Sequence, residues 1–241
     1  MKIYGRNAVE EAIKSGTTID RLVVQKELKD AAANRIIKEA KDRGVKIFFR
    51  DKIALDRECD NGARHQGFIA EITDFEYSEL DDILAFADEK GEPPFIVILD
   101  GVEDPHNLGS VIRVAECAGV HGVVIPRHRS VSVNDTVVKV SSGATAHLKV
   151  AKVTNVNDAI VDLKKKGVWV YAADMDGDDL YKTNLKGSVA FVIGGEGKGV
   201  KRLTRELCDG VVSIPMFGKV NSLNASVAAG VVIYEKVRQD R

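Results

Sequence analysis

The sequence predicts an α/β protein in which a small α/β module precedes a larger domain built on a mostly parallel sheet. Three observations support this fold class. Hydrophobic residues make up 44% of the 241 residues and aromatic residues only 6%, which is typical of an aliphatic α/β core. Strand-like and helix-like segments alternate along the chain. The run 95–99 is continuously apolar, as expected of a parallel strand covered on both faces.

Residues 1–72 are expected to form the small module. Asn7 can cap its first helix and Gly16 can end it, while Gly44 ends the second helix. The predicted elements are helices over 8–14 and 31–43 and strands over 21–24, 45–49 and 67–72.

Residues 73–93 are predicted to be an acidic linker. They contain one Lys or Arg against eight Asp or Glu, whereas residues 1–72 contain 15 against 12 and residues 94–241 contain 19 against 16. One helical turn is expected near 80–86. The alternative is a solvated surface helix within a single domain.

Residues 94–241 show the clearest alternation of strands and helices. Strands are predicted over 95–99, 122–125, 168–172, 189–193 and 211–214, and helices over 108–118, 158–166, 200–207 and 222–238. Parallel sheets of this kind bind ligands at the carboxyl ends of their strands. The loops 100–107, 194–199 and 215–221 follow three of the strands, so we expect the site there.

Charge and cysteine content limit the possible functions. The net charge of −1 does not indicate a nucleic-acid partner, but the mildly basic parts that flank the acidic segment permit RNA binding through local patches. Cys59, Cys117 and Cys208 are odd in number and widely spaced, which favours buried thiols in a reducing cytoplasm over disulfides or zinc. No metal site, membrane span or secretion signal is predicted.

The glycine-rich loop runs from Gly194 to Gly199 and contains Glu196. A phosphate-binding loop of the nucleoside-triphosphatase type would need glycine at Val192 and Ser or Thr at Gly199. A dinucleotide-binding loop would need glycine at Val200. Neither fingerprint matches, so the loop is interpreted as one whose main chain approaches a ligand closely. An ordinary tight turn is the alternative.

The other two loops also allow more than one interpretation. Arg113 follows Asn107 by six residues and is expected on about the same helical face, either as a surface charge or as an anchor for an anion. His106 could act as a base or as a plain hydrogen-bonding residue. Ser222 or Asn221 can cap the last helix, whose small residues predict burial by the domain or by a second subunit.

Together, the three loops resemble the SpoU/TrmH branch of the SPOUT RNA methyltransferases. The motifs occur in order as 104–113, with Asn107 and Arg113, then 193–197, and then 214–216 with 222–228. Residues 5–9 and 64–67 resemble the amino-terminal substrate-binding domain of this family. The likeness covers nearly the whole chain and is greatest to the bacterial enzymes that methylate a guanosine ribose of 23S ribosomal RNA. Ala225 stands where relatives often carry valine.

The resemblance implies a fold and a reaction. The small module would be similar to an L30e/L7Ae-like ribosomal-protein fold, and the catalytic domain would carry a carboxyl-terminal trefoil knot. The methyl donor would be S-adenosylmethionine, bound largely through main-chain groups in a homodimer with sites at the interface. By motif position, the residues that bind the donor would be Gly194, Ile214 and Leu223, with Glu196 and Met216 nearby.

The resemblance also implies catalytic and RNA-binding residues. Arg113 would help to activate the ribose 2′-hydroxyl, and the residues that position it and the substrate would be Asn107, Glu196, Ser222 and Asn224. A guanidinium is a poor base, so we expect Arg113 to bind a phosphate and stabilise the oxyanion.

RNA would be recognised mainly by shape and phosphate, through Arg6, Arg64, His65 and Arg127. Three other functions are weighed against this one: methylation of transfer RNA, RNA binding without catalysis, and dinucleotide-dependent oxidation. The failed glycine fingerprint argues against the last of these.

Overall fold

The computed structural model describes residues 2–15, 17–28, 30–59, 63–73, 75–195, 197, 199–219 and 222–241. The chain divides into two compact units, of which the first ends at Glu76 and the second begins at Tyr77. Among the described residues, no helix is both long enough and apolar enough to cross a membrane.

The first unit is built on a four-stranded sheet. Its strands are β1 (Lys2–Tyr4), β2 (Thr18–Gln25), β3 (Lys46–Arg50) and β4 (Phe68–Thr73), in the order β1-β4-β2-β3. β4 is antiparallel to both of its neighbours, and β3 is parallel to β2. The helices are α1 (Arg6–Lys14), α2 (Ala31–Asp42) and α3 (Lys52–Glu58).

The two faces of this sheet are covered unequally. On one face α1 and α2 bury a large apolar cluster, which includes Ile13, Ile36 and Leu22. On the other face the seven-residue α3 buries Leu55 against Val23 and Ile69. Because α3 covers less of the sheet than α1 and α2 do, part of that face is exposed to solvent.

Two elements of this unit were not predicted, and a third begins two residues earlier than expected. β1 has only three residues, too few to show an alternation, and α3 buries one side chain only. α1 begins at Arg6 rather than after Asn7, because Gly5 adopts φ 93° immediately before it.

The second unit contains a six-stranded sheet in which every pairing is parallel. Its order is β10-β8-β9-β5-β6-β7. The strands are β5 (Phe95–Asp100), β6 (Gly122–Pro126), β7 (Lys149–Val153), β8 (Trp169–Asp179), β9 (Val189–Gly194) and β10 (Gly210–Ser213). Every residue of β5 is buried, as its apolar run predicts.

Six α-helices belong to this unit among the described residues. They are α4 (Leu80–Lys90), α5 (Pro105–Cys117), α6 (Asp135–Val140), α7 (Val156–Lys165), α8 (Arg202–Leu207) and α9 (Ala225–Asp240). Neither α6 nor β7 was expected: α6 is short, and β7 has the two lysines Lys149 and Lys152 in an edge strand of five residues.

The acidic segment differs from the expected linker. α4 has three turns instead of one, and Ile83 and Ala87 are buried in the core of the second unit. A β-carbon on Gly122 would lie 2.4 Å from the Ile83 side chain, so glycine at that position makes room for α4. The acidic residues within α4 are exposed on the outer side of a packed helix.

The cysteines are free thiols, but they are not all buried as expected. Cys117 is exposed, whereas Cys59 and Cys208 are half-buried. Burial raises the pKa of the Cys208 thiol to about 12.

Candidate functional site

The loops that follow β5 and β9 leave the second sheet side by side. The two strands are adjacent and parallel, and Asp100 pairs with Gly194 at their carboxyl ends. The amide of Gly195 donates a hydrogen bond to the carbonyl oxygen of Asp100, 3.1 Å away. Two of the three predicted loops therefore meet at the edge of the sheet where ligands of parallel sheets bind.

The glycine-rich loop packs tightly against protein main chain. A β-carbon on Gly194 would lie 2.0 Å from the carbonyl carbon of Gly199, and one on Gly195 would lie 2.2 Å from the carbonyl oxygen of Gly101. Gly199 also adopts φ 61° and donates to the carbonyl of Gly195 over 3.1 Å. The loop therefore packs closely on its own chain, and the approach of its main chain to a ligand stays a prediction. Glu196 lies outside the described residues.

Asp100 fastens the end of this loop. Its carboxylate is buried and forms an ion pair with the Lys201 ammonium group, which is half-exposed. It also accepts a hydrogen bond from the Lys201 amide over 3.2 Å. The segment 195–201 is therefore held to β5 at both ends.

A cleft of about 400 Å³ opens between these loops. Its walls include Asp100, Asn107, Arg129, Gly195 and Ala225. That volume lies in the range of small-molecule sites. Because the walls combine carboxylates, a guanidinium and main-chain groups, the cleft can hold a polar ligand that carries both donors and acceptors.

A hydrogen bond between two predicted catalytic residues joins the first and third motifs. The Asn224 amide nitrogen donates to the Asn107 side-chain oxygen over 2.9 Å. Asn107 is buried in the first turn of α5, and Asn224 caps α9 through its own oxygen, which accepts from the Ser226 amide. The fold thus brings together two residues 117 positions apart. Ser222, which precedes Asn224 by two residues, is exposed.

The structure does not place Arg113 with Asn107. Six residues turn an α-helix through about 600°, so the two side chains point about 120° apart and not along the same face. Asn107 is buried, while Arg113 is exposed and donates to the Ser142 hydroxyl over 3.1 Å. Arg113 is not among the residues that line the cleft of its own chain.

Of the residues predicted to bind a cofactor, Gly194 ends β9, Ile214 and Met216 follow β10, and Leu223 lies just before α9. Ile214 is half-buried, and the side chains of Met216 and Leu223 are each 39% exposed. Within the described chain, no main-chain hydrogen bond outside the strands and helices involves residues 215–219. Accessible main-chain groups beside partly exposed apolar side chains fit a nucleoside-like ligand that is held by the backbone.

The predicted RNA-binding residues of the first unit have different environments. Arg6 forms a bidentate pair with Asp30, at 2.7 and 2.9 Å. His65 is buried, accepts from the Gly67 amide at Nδ1 and meets Asp56 at Nε2. These two side chains therefore have structural partners already, whereas Arg64 is exposed.

In the second unit the basic loop after β6 places one arginine at the cleft, and contact of Arg127 with RNA stays a prediction. Arg127 is exposed away from the cleft lining, while Arg129 lines it. Hydrogen bonds from the Ser130 hydroxyl and the Val131 amide to the Val102 carbonyl, at 3.1 and 3.0 Å, hold this loop to the one after β5.

Lys201 was not predicted to belong to the site, and Asp100 was predicted only as the first residue of a loop there. Asp100 ends a continuous apolar strand, which marks it as the first polar residue at a carboxyl end. Lys201 carries no comparable signal, since an exposed lysine before a helix is common.

The chain matches two family models. Residues 94–234 match the SpoU rRNA Methylase family, and residues 2–78 match a model described as RNA 2′-O ribose methyltransferase substrate binding.

Similar proteins carry related names. A Bacillus subtilis protein named for the TrmH family of tRNA/rRNA methyltransferases is 43% identical over 98% of this chain and 95% of its own length. A Staphylococcus aureus protein named for the same family is 44% identical over the same shares. Among solved structures, the SpoU methyltransferase AviRb from Streptomyces viridochromogenes, crystallised with AdoMet, has a TM-score of 0.62. It is 24% identical, and the likeness covers 99% of this chain and 90% of AviRb.

Proposed function

Since the chain belongs to the SpoU rRNA methylase family and is an RNA methyltransferase that uses S-adenosylmethionine, we propose that it methylates a ribose 2′-hydroxyl in structured RNA. A guanosine of 23S ribosomal RNA is the proposed target. The observation that carries the proposal is the hydrogen bond from Asn224 to Asn107, which joins two motifs beside the glycine-rich loop. The relatives' names include transfer RNA, which makes a tRNA ribose the second candidate.

We expect main-chain groups at the ends of β9 and β10 to hold S-adenosylmethionine. Gly194, Ile214 and Leu223 are the proposed contacts, with Met216 and Glu196 nearby. When bound, S-adenosylmethionine supplies an electrophilic methyl group on a sulfonium sulfur. The partly exposed apolar side chains and accessible main chain around residues 214–219 support this assignment.

Arg113 is proposed to act as a fixed cation. A guanidinium stays protonated at neutral pH, so it cannot remove the hydroxyl proton itself. It would bind the phosphate beside the target ribose and stabilise negative charge on the 2′-oxygen, while the phosphate or a water takes the proton. Asn107, Ser222 and Asn224 would position the ribose.

A homodimer is proposed to complete the site. Arg113 is exposed on α5 and absent from the cleft lining of its own chain, so it would serve the cleft of the second copy. α9 packs on α5 and exposes Val227 and Tyr234, 52% and 50% exposed, which supports a contact between subunits there. A cytoplasmic location and a knotted carboxyl-terminal domain belong to the same proposal.

Methyl transfer to RNA tests the proposal directly. Purified protein should transfer labelled methyl groups from S-adenosylmethionine to RNA extracted from a deletion strain, and the label should be found on a ribose. Arg113→Ala should lower turnover by at least about 100-fold, the usual cost of losing a transition-state donor. Arg202→Ala, at another exposed arginine, should change little. Normal turnover by Arg113→Ala with intact cofactor binding would remove Arg113 from the mechanism.

A mixed dimer tests which subunit Arg113 serves. Arg113→Ala and Asn224→Asp chains, each strongly impaired alone, should regain up to about half of the wild-type activity when they are co-expressed. One of the two clefts would then contain an intact asparagine and an intact arginine from different chains. A mixture as inactive as its parents would place Arg113 in the cleft of its own chain.

A further inference from the structure

The edge strand β3 and the start of α3 carry large apolar side chains that the fold does not bury. Phe48 and Phe49 are neighbours in β3 and are 41% and 45% exposed, and Ile53 at the start of α3 is 64% exposed. β3 is at the edge of the first sheet, and among the described residues only β2 pairs with it. Large apolar side chains that stay exposed are candidate contacts for a partner.

The two phenylalanines lie on opposite faces of the sheet. Phe48 pairs with Val23, which packs against Leu55 of α3, so Phe48 lies on the sparsely covered face. Side chains alternate along a strand, which puts Phe49 on the face of α1 and α2, beside Val24.

Phe48 has a basic residue on each side of it along the same face. Lys46 and Arg50 are two residues away in either direction, about 7 Å along the strand. Both are exposed, and neither forms an ion pair with any described residue. The face therefore presents an aromatic ring between two available cations.

The acidic residues nearest in sequence have partners other than these cations. The Asp51 carboxylate accepts a hydrogen bond from the Ala54 amide over 2.8 Å and caps α3. The Asp56 carboxylate lies 2.9 Å from Nε2 of His65. Neither carboxylate is paired with Lys46 or Arg50, so both cations stay available to an anionic partner.

We propose that the Lys46–Phe48–Arg50 face of β3 binds an unpaired nucleotide of the RNA substrate. The base stacks on Phe48, and the phosphates on its two sides contact Lys46 and Arg50. Aromatic rings flanked by basic side chains bind unpaired bases of any sequence in this way, because every base has a π face. The proposal rests on the proposed function for the identity of the substrate, and adds one stacking contact to recognition by shape and phosphate.

A second copy of the chain is a poorer occupant of this surface. Two β3 edges laid side by side would bring Lys46 and Arg50 of each copy close to those of the other, and like charges opposed across a strand pair are destabilising. Basic residues on an edge strand discourage strand pairing between molecules for the same reason.

Binding of short RNAs to the full chain tests the proposal. The probes are a fluorescent eight-nucleotide single strand and a duplex of equal length, and fluorescence anisotropy gives the dissociation constants. Phe48→Ala should weaken binding of the single strand about ten-fold and binding of the duplex less than two-fold. Phe48→Trp should keep wild-type affinity. Phe49→Ala is the matched control, since it removes an equally exposed ring from the other face of the same strand.

The basic residues have a separate signature. The Lys46→Gln, Arg50→Gln double variant should lower the slope of log affinity against log salt by about 1.4, as expected for two lost phosphate contacts on a single strand. Circular dichroism should show native folding of each variant.

Three results would overturn the proposal: wild-type affinity in Phe48→Ala, an equal loss in Phe49→Ala, or dissociation of a dimer in Phe48→Ala with unchanged RNA affinity. A wild-type chain that binds RNA through Phe48 but transfers no methyl group would instead contradict the proposed function.

Discussion

Asp100 is the residue on which the position of the glycine-rich loop depends most directly. Its buried carboxylate has two partners, the amide and the ammonium group of Lys201. Asp100→Ala should lower the free energy of unfolding by about 2 kcal/mol, the range for hydrogen bonds to a charged group. It should also lower methyl transfer, because the loop is released from β5.

Thermal melting and turnover of the full chain measure both effects of Asp100→Ala. Glu206→Ala is the control, since its ion pair with Arg202 is exposed and such pairs contribute little. Equal melting temperatures for the two variants would show that Asp100 does not hold the loop.

For single residues, the sequence predicted only some of the contacts within the site. The motif resemblance placed Asn107 and Asn224 in one site, and their hydrogen bond agrees with that prediction. Spacing alone gave a wrong face for Arg113, because a six-residue separation does not complete whole helical turns. The fold brings Lys201 into contact with Asp100, and the local sequence around Lys201 does not predict that contact.

At the scale of elements, Asn224 has two functions that can be separated. Its side-chain oxygen caps α9, and its amide nitrogen ties α9 to α5. Asn224→Ala should lose both and cost about 1 kcal/mol of stability, as for a lost helix cap. Asn224→Asp keeps an oxygen for the cap but has no donor for Asn107.

We therefore expect Asn224→Asp to melt near the wild-type temperature and to lose about ten-fold or more in methyl transfer. Melting curves and turnover of both variants, measured with intact cofactor binding, check this. Normal activity in Asn224→Asp would show that the tie between the helices has no role in catalysis.

His121 makes the packing around α4 and β5 sensitive to pH. Its ring is buried, accepts from the Phe95 amide at Nδ1 over 3.0 Å and lies 3.0 Å from Glu92 at Nε2. Burial lowers the pKa of His121 below its usual value of 6.5, although Glu92 opposes this shift. The unfolded chain then binds the proton more readily, so the stability that the neutral ring contributes is complete above pH 6.5 and is lost as the pH falls below it.

Melting temperatures of the full chain between pH 5 and 8 test this expectation. His121→Asn keeps an acceptor near the Phe95 amide without a titrating ring, so its melting temperature should fall less between pH 7 and pH 5 than that of the wild type. Parallel pH profiles would show that His121 is not the titrating group.

Elements differ in how well the sequence predicts them, and burial explains the difference. Strands buried on both faces, such as β5 and β9, appear as unbroken apolar runs and were predicted nearly to the residue. β7 and α3 bury too few side chains to produce a recognisable hydrophobic periodicity in the sequence. In α4 only Ile83 and Ala87 are buried in the core, and the many acidic residues around them favoured a linker in the sequence-based prediction.

For the whole molecule, the proposed homodimer predicts that one exposed tyrosine matters and another does not. Tyr234 of α9 is 50% exposed, and Tyr181 is 53% exposed outside the proposed interface. Tyr234→Glu should shift the chain to a monomer in sedimentation experiments and abolish methyl transfer, because a buried, unpaired charge opposes association. Tyr181→Glu should leave both unchanged. A monomeric wild type that is active would contradict the homodimer.

The strand order of the second sheet has a consequence for synthesis on the ribosome. β5 is central, yet one of its two neighbours, β9, begins about 90 residues later, at Val189. At translation rates of about 5–20 residues per second, one edge of this fully apolar strand waits roughly 5–20 s for its neighbour. Until then the nascent chain carries an open, aggregation-prone edge. We expect the yield of folded protein in cells to depend on chaperones and on growth temperature more strongly than the stability of the folded protein would suggest.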